Sequence, residues 1–244
     1  PRASDIATAL ALLTRIPVRA EGSRTAEAAW AFPLAGLAVG LVAGAVATIA
    51  GWLSLGAGLT AGFTLTALIL VTGALHEDGL ADCADGFWGG FTRARRLEIM
   101  RDSRIGAYGV LALILALLLR FTALTTLAHE DVITTTVIAS AMLSRAALPY
   151  LMALMAPART DGLSVQTGRP PRDAASLGAV VAVGLTWLLV GFVPVVLATA
   201  AIMATAFATA RIAQAKIGGQ TGDVLGATQV VCEIAALTVF ATLA

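Results

Sequence analysis

Charge is the scarcest ingredient of this sequence. Only 13% of its 244 residues are Asp, Glu, Lys or Arg, against about a quarter in an ordinary soluble domain, and the mean hydropathy is +0.87. From Ala28 to Leu75, and again from Ala174 to Ala210, there is no charged residue or histidine at all. That excludes a water-facing globular surface. A membrane-spanning helix takes ~20 mostly apolar residues, so each run is long enough for two. Cysteine is nearly missing too. Cys83 and Cys232 cannot build a disulfide framework, and a structural zinc site needs more soft ligands, so both read as small buried thiols. A net charge of +1 leaves no electrostatic footprint for nucleic acid. Internal repeats and low-complexity tracts are absent, and residues 1–244 read as one membrane domain.

The amino-terminal apolar core runs only from Ile6 to Leu13, short for a signal peptide and far short of a span. Ile6, Leu10 and Leu13 recur at helical spacing, which predicts a short helix lying on the membrane surface. Hydropathy and breakers then give seven spans, near 29–53, 57–75, 105–127, 132–155, 174–192, 195–211 and 224–243. Glycines and a serine in 51–60 divide the first long run, and Gly191 with Pro194 divides the second. The fold class expected is therefore all-α and polytopic.

The basic residues supply an orientation. Placing the amino terminus in the cytoplasm puts fourteen of the sixteen Lys and Arg residues in inner segments. Arg120 and Arg145 lie inside spans, and the outer turns hold none. This positive-inside pattern predicts amino terminus in and carboxy terminus out, with the long polar stretch 76–106 on the cytoplasmic side of the membrane.

That stretch contains Glu77, Asp78, Asp82 and Asp85, four of the fifteen acidic residues within nine positions. On a helix Asp78, Asp82 and Asp85 share one face. Three carboxylates on one face repel unless something positive sits there, and hard oxygen donors suit Mg²⁺. Mg²⁺ usually binds through one or two carboxylates plus substrate phosphates, which implies a phosphorylated substrate. Glu77 joins the three aspartates as a metal candidate, and His76 and Asp82 are candidate proton acceptors. Gly79, Gly86, Gly89 and Gly90 would let a bulky ligand approach the backbone. Arg93, Arg95, Arg96, Arg101 and Arg104 can clamp phosphate oxygens, although inner loops are rich in arginine for topology alone. A second patch, 216–227, sets Gly218, Gly219, Gly222 and Gly226 around Thr221 and Asp223 at the start of the last span. It reads as an anion-binding second wall of the same site, or as an ordinary helix cap. Arg120, Arg145 and Glu233 fall within spans and should face the protein interior, as a structural pair or around a polar cavity.

"HEDGLADCADG" (76–86), "RRLEIMRDSRIGAYG" (95–109) and "GGQTGDVLGA" (218–227), with "LLTRIPV" (12–18) and "FPLAGLAVG" (32–40), resemble the cobamide synthase family, the adenosylcobinamide-GDP ribazoletransferases, over essentially the whole chain. The resemblance implies Mg²⁺-dependent joining of α-ribazole, or its 5′-phosphate, to adenosylcobinamide-GDP with release of GMP. It implies Asp78, Asp82 and Asp85 at the metal and His76 nearby. Asp102, Arg104, Thr221 and Asp223 are further positions of the family pattern, and Arg96, Arg101 and Gly219 stand beside them as substrate-binding candidates. The partners expected are the two substrates and the lipid bilayer, with no nucleic acid. A second copy of the chain or other cobalamin-assembly enzymes are open alternatives. Two other readings compete. A CDP-alcohol phosphotransferase also places aspartates at helical spacing near a membrane edge, but its Asp-Gly-x-x-Ala-Arg continuation is missing here. A transporter would set its acids at midplane rather than at one edge.

Overall fold

The computed structural model describes residues 1–20 and 24–244. Helix α1 (Ala3–Leu13) precedes a 3₁₀ turn (Glu27–Ala31) that runs directly into α2 (Phe32–Trp52). Then follow α3 (Gly56–Thr72), α4 (Leu75–Gly89), α5 (Arg93–Ile99), α6 (Ala107–His129), α7 (Ile133–Ala146) and α8 (Leu148–Leu154). The chain ends with α9 (Leu163–Thr167), α10 (Arg172–Val190), α11 (Phe192–Ile217) and α12 (Gly222–Leu243). No strand forms among the described residues.

Six helical segments, α2 with its leading turn, α6, α7 with α8, α10, α11 and α12, are long and apolar enough to cross a membrane. The seventh expected span is α3, which turns by 86° into α4. The bend has a local cause. Gly73 and Ala74 both adopt left-handed φ, 65° and 58°, which stops the α3 ladder and costs Ala74 roughly 1–2 kcal/mol. The bend turns α4 away from α3 and packs it against α6 and α12. Gly191, at φ 86°, separates α10 from α11. Pro194, expected as the breaker, sits harmlessly in the first turn of α11, where its missing N–H has no partner to lose. The span expected at 132–155 is two helices, broken at Ala147 just before Pro149.

The centre of the bundle is α7, buried without interruption from Thr136 to Ala146. Helix α2 packs on it through Gly36, Gly40 and Gly44. A Cβ at Gly40 would lie 2.6 Å from the Ile138 Cα, and one at Gly36 would collide with the Ala141 carbonyl. Small residues at four-residue spacing bring the two backbones together, as lipid-embedded helices require. The outer faces of α3, α6, α10 and α11 carry exposed Phe63, Leu70, Leu115, Leu118, Leu188 and Phe207, a lipid-facing surface. The expected surface helix α1 is anchored on protein. Ala9 and Leu13 are buried with Phe32, Leu148 and Met152, and Asp5 accepts a hydrogen bond from Trp30 Nε1 at 2.9 Å.

The polar connections gather at one end. Arg15 N–H donates to the Val71 carbonyl at 2.7 Å, and Ala158 N–H to the Gln220 carbonyl at 2.8 Å. Thr25 Oγ1 donates to the Thr167 carbonyl at 2.9 Å, and Arg93 Nε to the Ile217 carbonyl at 2.7 Å.

Four buried charges fix α4 to this end, one from each of four helices. Arg120 of α6 contacts Glu77 of α4 at 2.8 Å and Glu233 of α12 at 3.3 Å. Arg145 of α7 lies 3.9 Å from Glu233. Gln229 donates to Glu233 at 2.7 Å and to Ser144 at 3.1 Å. Two guanidiniums and two carboxylates balance, so the interior carries no net charge. The structural alternative for Arg120, Arg145 and Glu233 is the one realised, and Glu77, expected at the metal, belongs to this network instead.

Two measurements check this packing. Gly40→Leu should overpack the α2–α7 contact, costing about 1–3 kcal/mol, seen as a thermal midpoint several degrees lower in detergent. Glu233→Gln leaves an uncompensated buried guanidinium and should cost about 3–5 kcal/mol. The Glu233→Met, Arg145→Met double variant should recover part of that loss in the same melting assay.

Candidate functional site

Helix α4 runs unbroken from Leu75 to Gly89, so Asp78, Asp82 and Asp85 do share a face. Glu77 is one residue, or ~100°, away from Asp78 on the helix, and so points to the buried network. The aspartates are themselves divided. Asp85 is buried and accepts hydrogen bonds from the Gly106 and Gly109 N–H groups, at 2.7 and 2.9 Å. It caps the amino terminus of α6, where unpaired donors and the helix dipole favour a carboxylate. A Cβ at Gly106 or Gly109 would strike that carboxylate. Asp85 is thus a structural cap of α6, with each carboxylate oxygen engaged by a backbone N–H.

A different acid takes its place. Helices α4 and α12 touch at glycines: a Cβ at Gly79 would lie 2.7 Å from the Asp223 carbonyl oxygen, and one at Gly226 3.3 Å from the His76 Cα. This approach sets Asp223 beside Asp78 and Asp82. Thr221 caps α12 by accepting from Val224 N–H at 3.3 Å, and its hydroxyl donates to Asp223 at 3.1 Å. Arg159, from the α8–α9 connection, pairs with Asp223 at 3.2 Å. Three carboxylates therefore face one guanidinium. Burial, followed by the charges of Asp223, Asp78 and Asp85, pushes the Asp82 carboxyl up to about 7, and Arg159 opposes this only in part. The cluster has more negative charge than the protein neutralises. Among the described residues no group of three His, Cys, Asp or Glu side chains is arranged to hold a metal ion.

Next to the acids is a cavity of about 150 Å³. Its polar lining is His76, Asp78, Arg159, Ser164, Thr167 and Asp223, and its apolar lining includes Leu13, Phe32, Leu148, Met152 and Leu225. His76 is buried, and its Nε2 has no hydrogen-bond partner among the described residues. Ser164 donates to Gln220 Oε1 at 2.6 Å, which ties α9 to the α11–α12 turn. A larger cavity of about 490 Å³ between α7, α8, α10 and α11 is lined by apolar side chains with Tyr150 and Thr199. Having no acid or base, it offers none of this chemistry.

The other expected contacts are distributed differently. Arg96, expected at substrate, donates to the carbonyls of Gly90 and Lys216, both at 2.9 Å. Arg93 similarly reaches Ile217 and Ala158. Both close the end of α11, where unpaired carbonyls need donors. Arg101 pairs with Asp161. Asp102 and Arg104 satisfy each other at 2.7 Å on an exposed loop, and the hydrogen bonds from Arg104 hold the Asp102 carboxyl down to about 2. None of these three lines the cavity. Gly219 is pressed against the Ala156 and Pro157 backbone and Gly218 ends α11 at φ 73°, so neither cradles an anion. Gly86 abuts Met100 and Arg96, and Gly90 abuts Arg96, so helix packing rather than ligand approach explains those glycines. Gly222, Asp223 and Gly226 do line the cavity with His76 and Asp78, so the two expected segments form walls of one site.

Arg159, Ser164 and the apolar wall escaped the sequence reading. In sequence Arg159 reads as one more arginine of an inner loop, with nothing local to set it apart.

The profile of the cobalamin-5-phosphate synthase family matches residues 5–241. An adenosylcobinamide-GDP ribazoletransferase of Bradyrhizobium diazoefficiens is 43% identical over 243 residues, covering 98% of this chain and 93% of the relative. One of Azorhizobium caulinodans is 45% identical over 247 residues, covering 96% and 94%, and one of Mesorhizobium japonicum is 44% identical over 239 residues, covering 96% and 92%. No solved structure matches. With this agreement over nearly its full length, the chain belongs to the cobalamin-5-phosphate synthase family.

Proposed function

We propose that this protein is an adenosylcobinamide-GDP ribazoletransferase that works at the junction of α4, α12 and the α8–α9 connection. The observation that carries the reading is the surplus of carboxylate charge at Asp78, Asp82 and Asp223, placed beside a cavity and matched to the family named above. A hydroxyl oxygen of α-ribazole, or of its 5′-phosphate, bonds to the cobinamide-side phosphorus of adenosylcobinamide-GDP. The phosphorus–oxygen bond of the diphosphate breaks, and GMP departs with the bonding pair. The hydroxyl proton passes to the Asp82 carboxylate or to His76 Nε2, two of the acceptors the site offers. Arg159 lies on the cavity wall and is positioned to hold phosphate oxygens.

The donor set fits Mg²⁺. Asp78, Asp82 and Asp223 are hard oxygen donors from two helices; burial and then repulsion among them raise Asp82, and a cation would relieve the repulsion. They form no closed cage, which suits an ion that fills its shell with substrate phosphates and water. Bound there, it would neutralise charge on the diphosphate as GMP leaves. Asp85 and Glu77 would support the ligands by fixing α4.

Purified protein in liposomes should release GMP from adenosylcobinamide-GDP only when α-ribazole or its phosphate is present, and chelating Mg²⁺ should stop it. Asp82→Asn should lower the rate about 10–100-fold or more without loss of protein from the membrane fraction. Release of CMP from CDP-diacylglycerol would assign the protein to the CDP-alcohol class instead, and absence of either nucleotide would remove the enzyme reading.

The one-sided distribution of the basic residues supports a cytoplasmic position for this end of the bundle, in the bacterial inner membrane that the family reading implies. With Cys83 and Cys232 replaced, cysteines at Gly89 and Thr160 should resist an impermeant thiol reagent added outside intact cells, and one at Glu130 should react. Labelling at position 89 would reverse the orientation.

A further inference from the structure

The cavity beside the acids has two chemically distinct halves. Leu13, Phe32, Leu148, Met152 and Leu225 belong to one continuous apolar cluster, and the first four are buried. The other half holds His76, Asp78, Arg159 and Asp223. The substrates of the proposed reaction differ just as sharply. The cavity of about 150 Å³ is of the size that holds a small aromatic molecule when lined by aliphatic and aromatic side chains. A corrin macrocycle cannot enter it. Guanine could by size, but its polar edge would lose water against Leu, Phe and Met with no replacement partner, at a cost of ~1–3 kcal/mol per unsatisfied group. A benzimidazole-type base presents mostly apolar edge and a flat π-face. Phe32 can stack on that face and the Met152 sulfur can pack at its rim.

We propose that this cavity receives the base of α-ribazole, with the aromatic ring among Leu13, Phe32, Leu148, Met152 and Leu225 and the ribose outside at the polar mouth. The assignment rests on the ribazoletransferase reading and deepens it. Bound base-first, α-ribazole presents its ribose hydroxyls to the face carrying Asp78 and Asp223. Adenosylcobinamide-GDP then approaches from outside the cavity, along the more open side of α4. The amino-terminal helix becomes part of the substrate site, because Leu12 and Leu13 close the apolar half. Asp5 holds that helix in place through Trp30 and through Arg24 at 3.4 Å.

Equilibrium binding and turnover on the liposome-reconstituted full chain separate the outcomes. Wild type should bind α-ribazole alone. Met152→Trp, which fills the apolar half, should weaken that binding at least tenfold and raise the KM for α-ribazole, with adenosylcobinamide-GDP binding unchanged. The same variant should turn over the α-riboside of a one-ring base such as imidazole about as well as wild type does, a rescue that misfolded protein could not give. Met152→Ala serves if the tryptophan variant does not fold: by enlarging the cavity it should shift preference several-fold toward a larger purine riboside. If wild type releases GMP but both variants leave α-ribazole affinity and base preference unchanged, the cavity assignment falls and the enzyme reading stands. If Met152→Trp instead weakens adenosylcobinamide-GDP binding, the cavity belongs to that substrate. If wild type neither binds α-ribazole nor releases GMP, both readings fall together.

Discussion

The position of α4 depends on a charge balance inside the membrane domain. Glu77, Arg120, Arg145 and Glu233 come from α4, α6, α7 and α12 and meet out of reach of water, with contacts of 2.8, 3.3 and 3.9 Å. Any one of these charges alone in hydrocarbon would cost several kcal/mol. Together they are tolerable, but only while all four helices keep their places. The network therefore acts less as a source of stability than as a condition on geometry. With the glycine contacts to α12 and the Asp85 cap on α6, it fixes the acidic helix in register against both neighbours.

The same logic distinguishes the acids that hold the structure from those left over. Every carboxylate on α4 repels its neighbours, and the fold answers two of them. Arg120 answers Glu77, and the α6 amino terminus answers Asp85 with two N–H groups. Asp78 and Asp82 receive no such partner. The close approach at Gly79 adds Asp223 to them, and Arg159 offsets only part of the result. A protein that neutralises its acids this carefully elsewhere leaves a surplus in one place, beside a cavity. This uneven treatment separates function from structure more clearly than the density of acids does.

The six long apolar segments were legible because lipid imposes length and hydropathy on each span independently of its neighbours. The shared face of Asp78, Asp82 and Asp85 was legible for a similar reason, since helical spacing is local. The separation of Glu77 could also have been read, because adjacent helical residues diverge by ~100°. Asp85 could not be assigned that way, since its partners Gly106 and Gly109 lie across a loop that only the tertiary fold brings back. The arginines mislead for another reason. Membrane topology and phosphate binding both select arginine at an inner edge, so sequence cannot separate Arg93 and Arg96, which end α11, from Arg159, which faces the site. The glycines share that ambiguity: Gly79 serves helix packing, yet the packing is what delivers Asp223.

Two constraints then fix what the site can be. The acids lie at the end of the bundle rather than at midplane, so a large polar substrate can reach them without entering hydrocarbon. The apolar half of the cavity is built from α1, α2, α8 and α12, the protein-packed core at that end, and so is shielded from lipid. A flat apolar group can be buried there while the reacting oxygen stays with the acids. Phosphoryl transfer depends mainly on positioning and charge stabilisation, and this arrangement supplies each from a separate wall. In the proposed reaction the rigid apolar packing would hold one reactant, and the unbalanced carboxylates would face the diphosphate of the other.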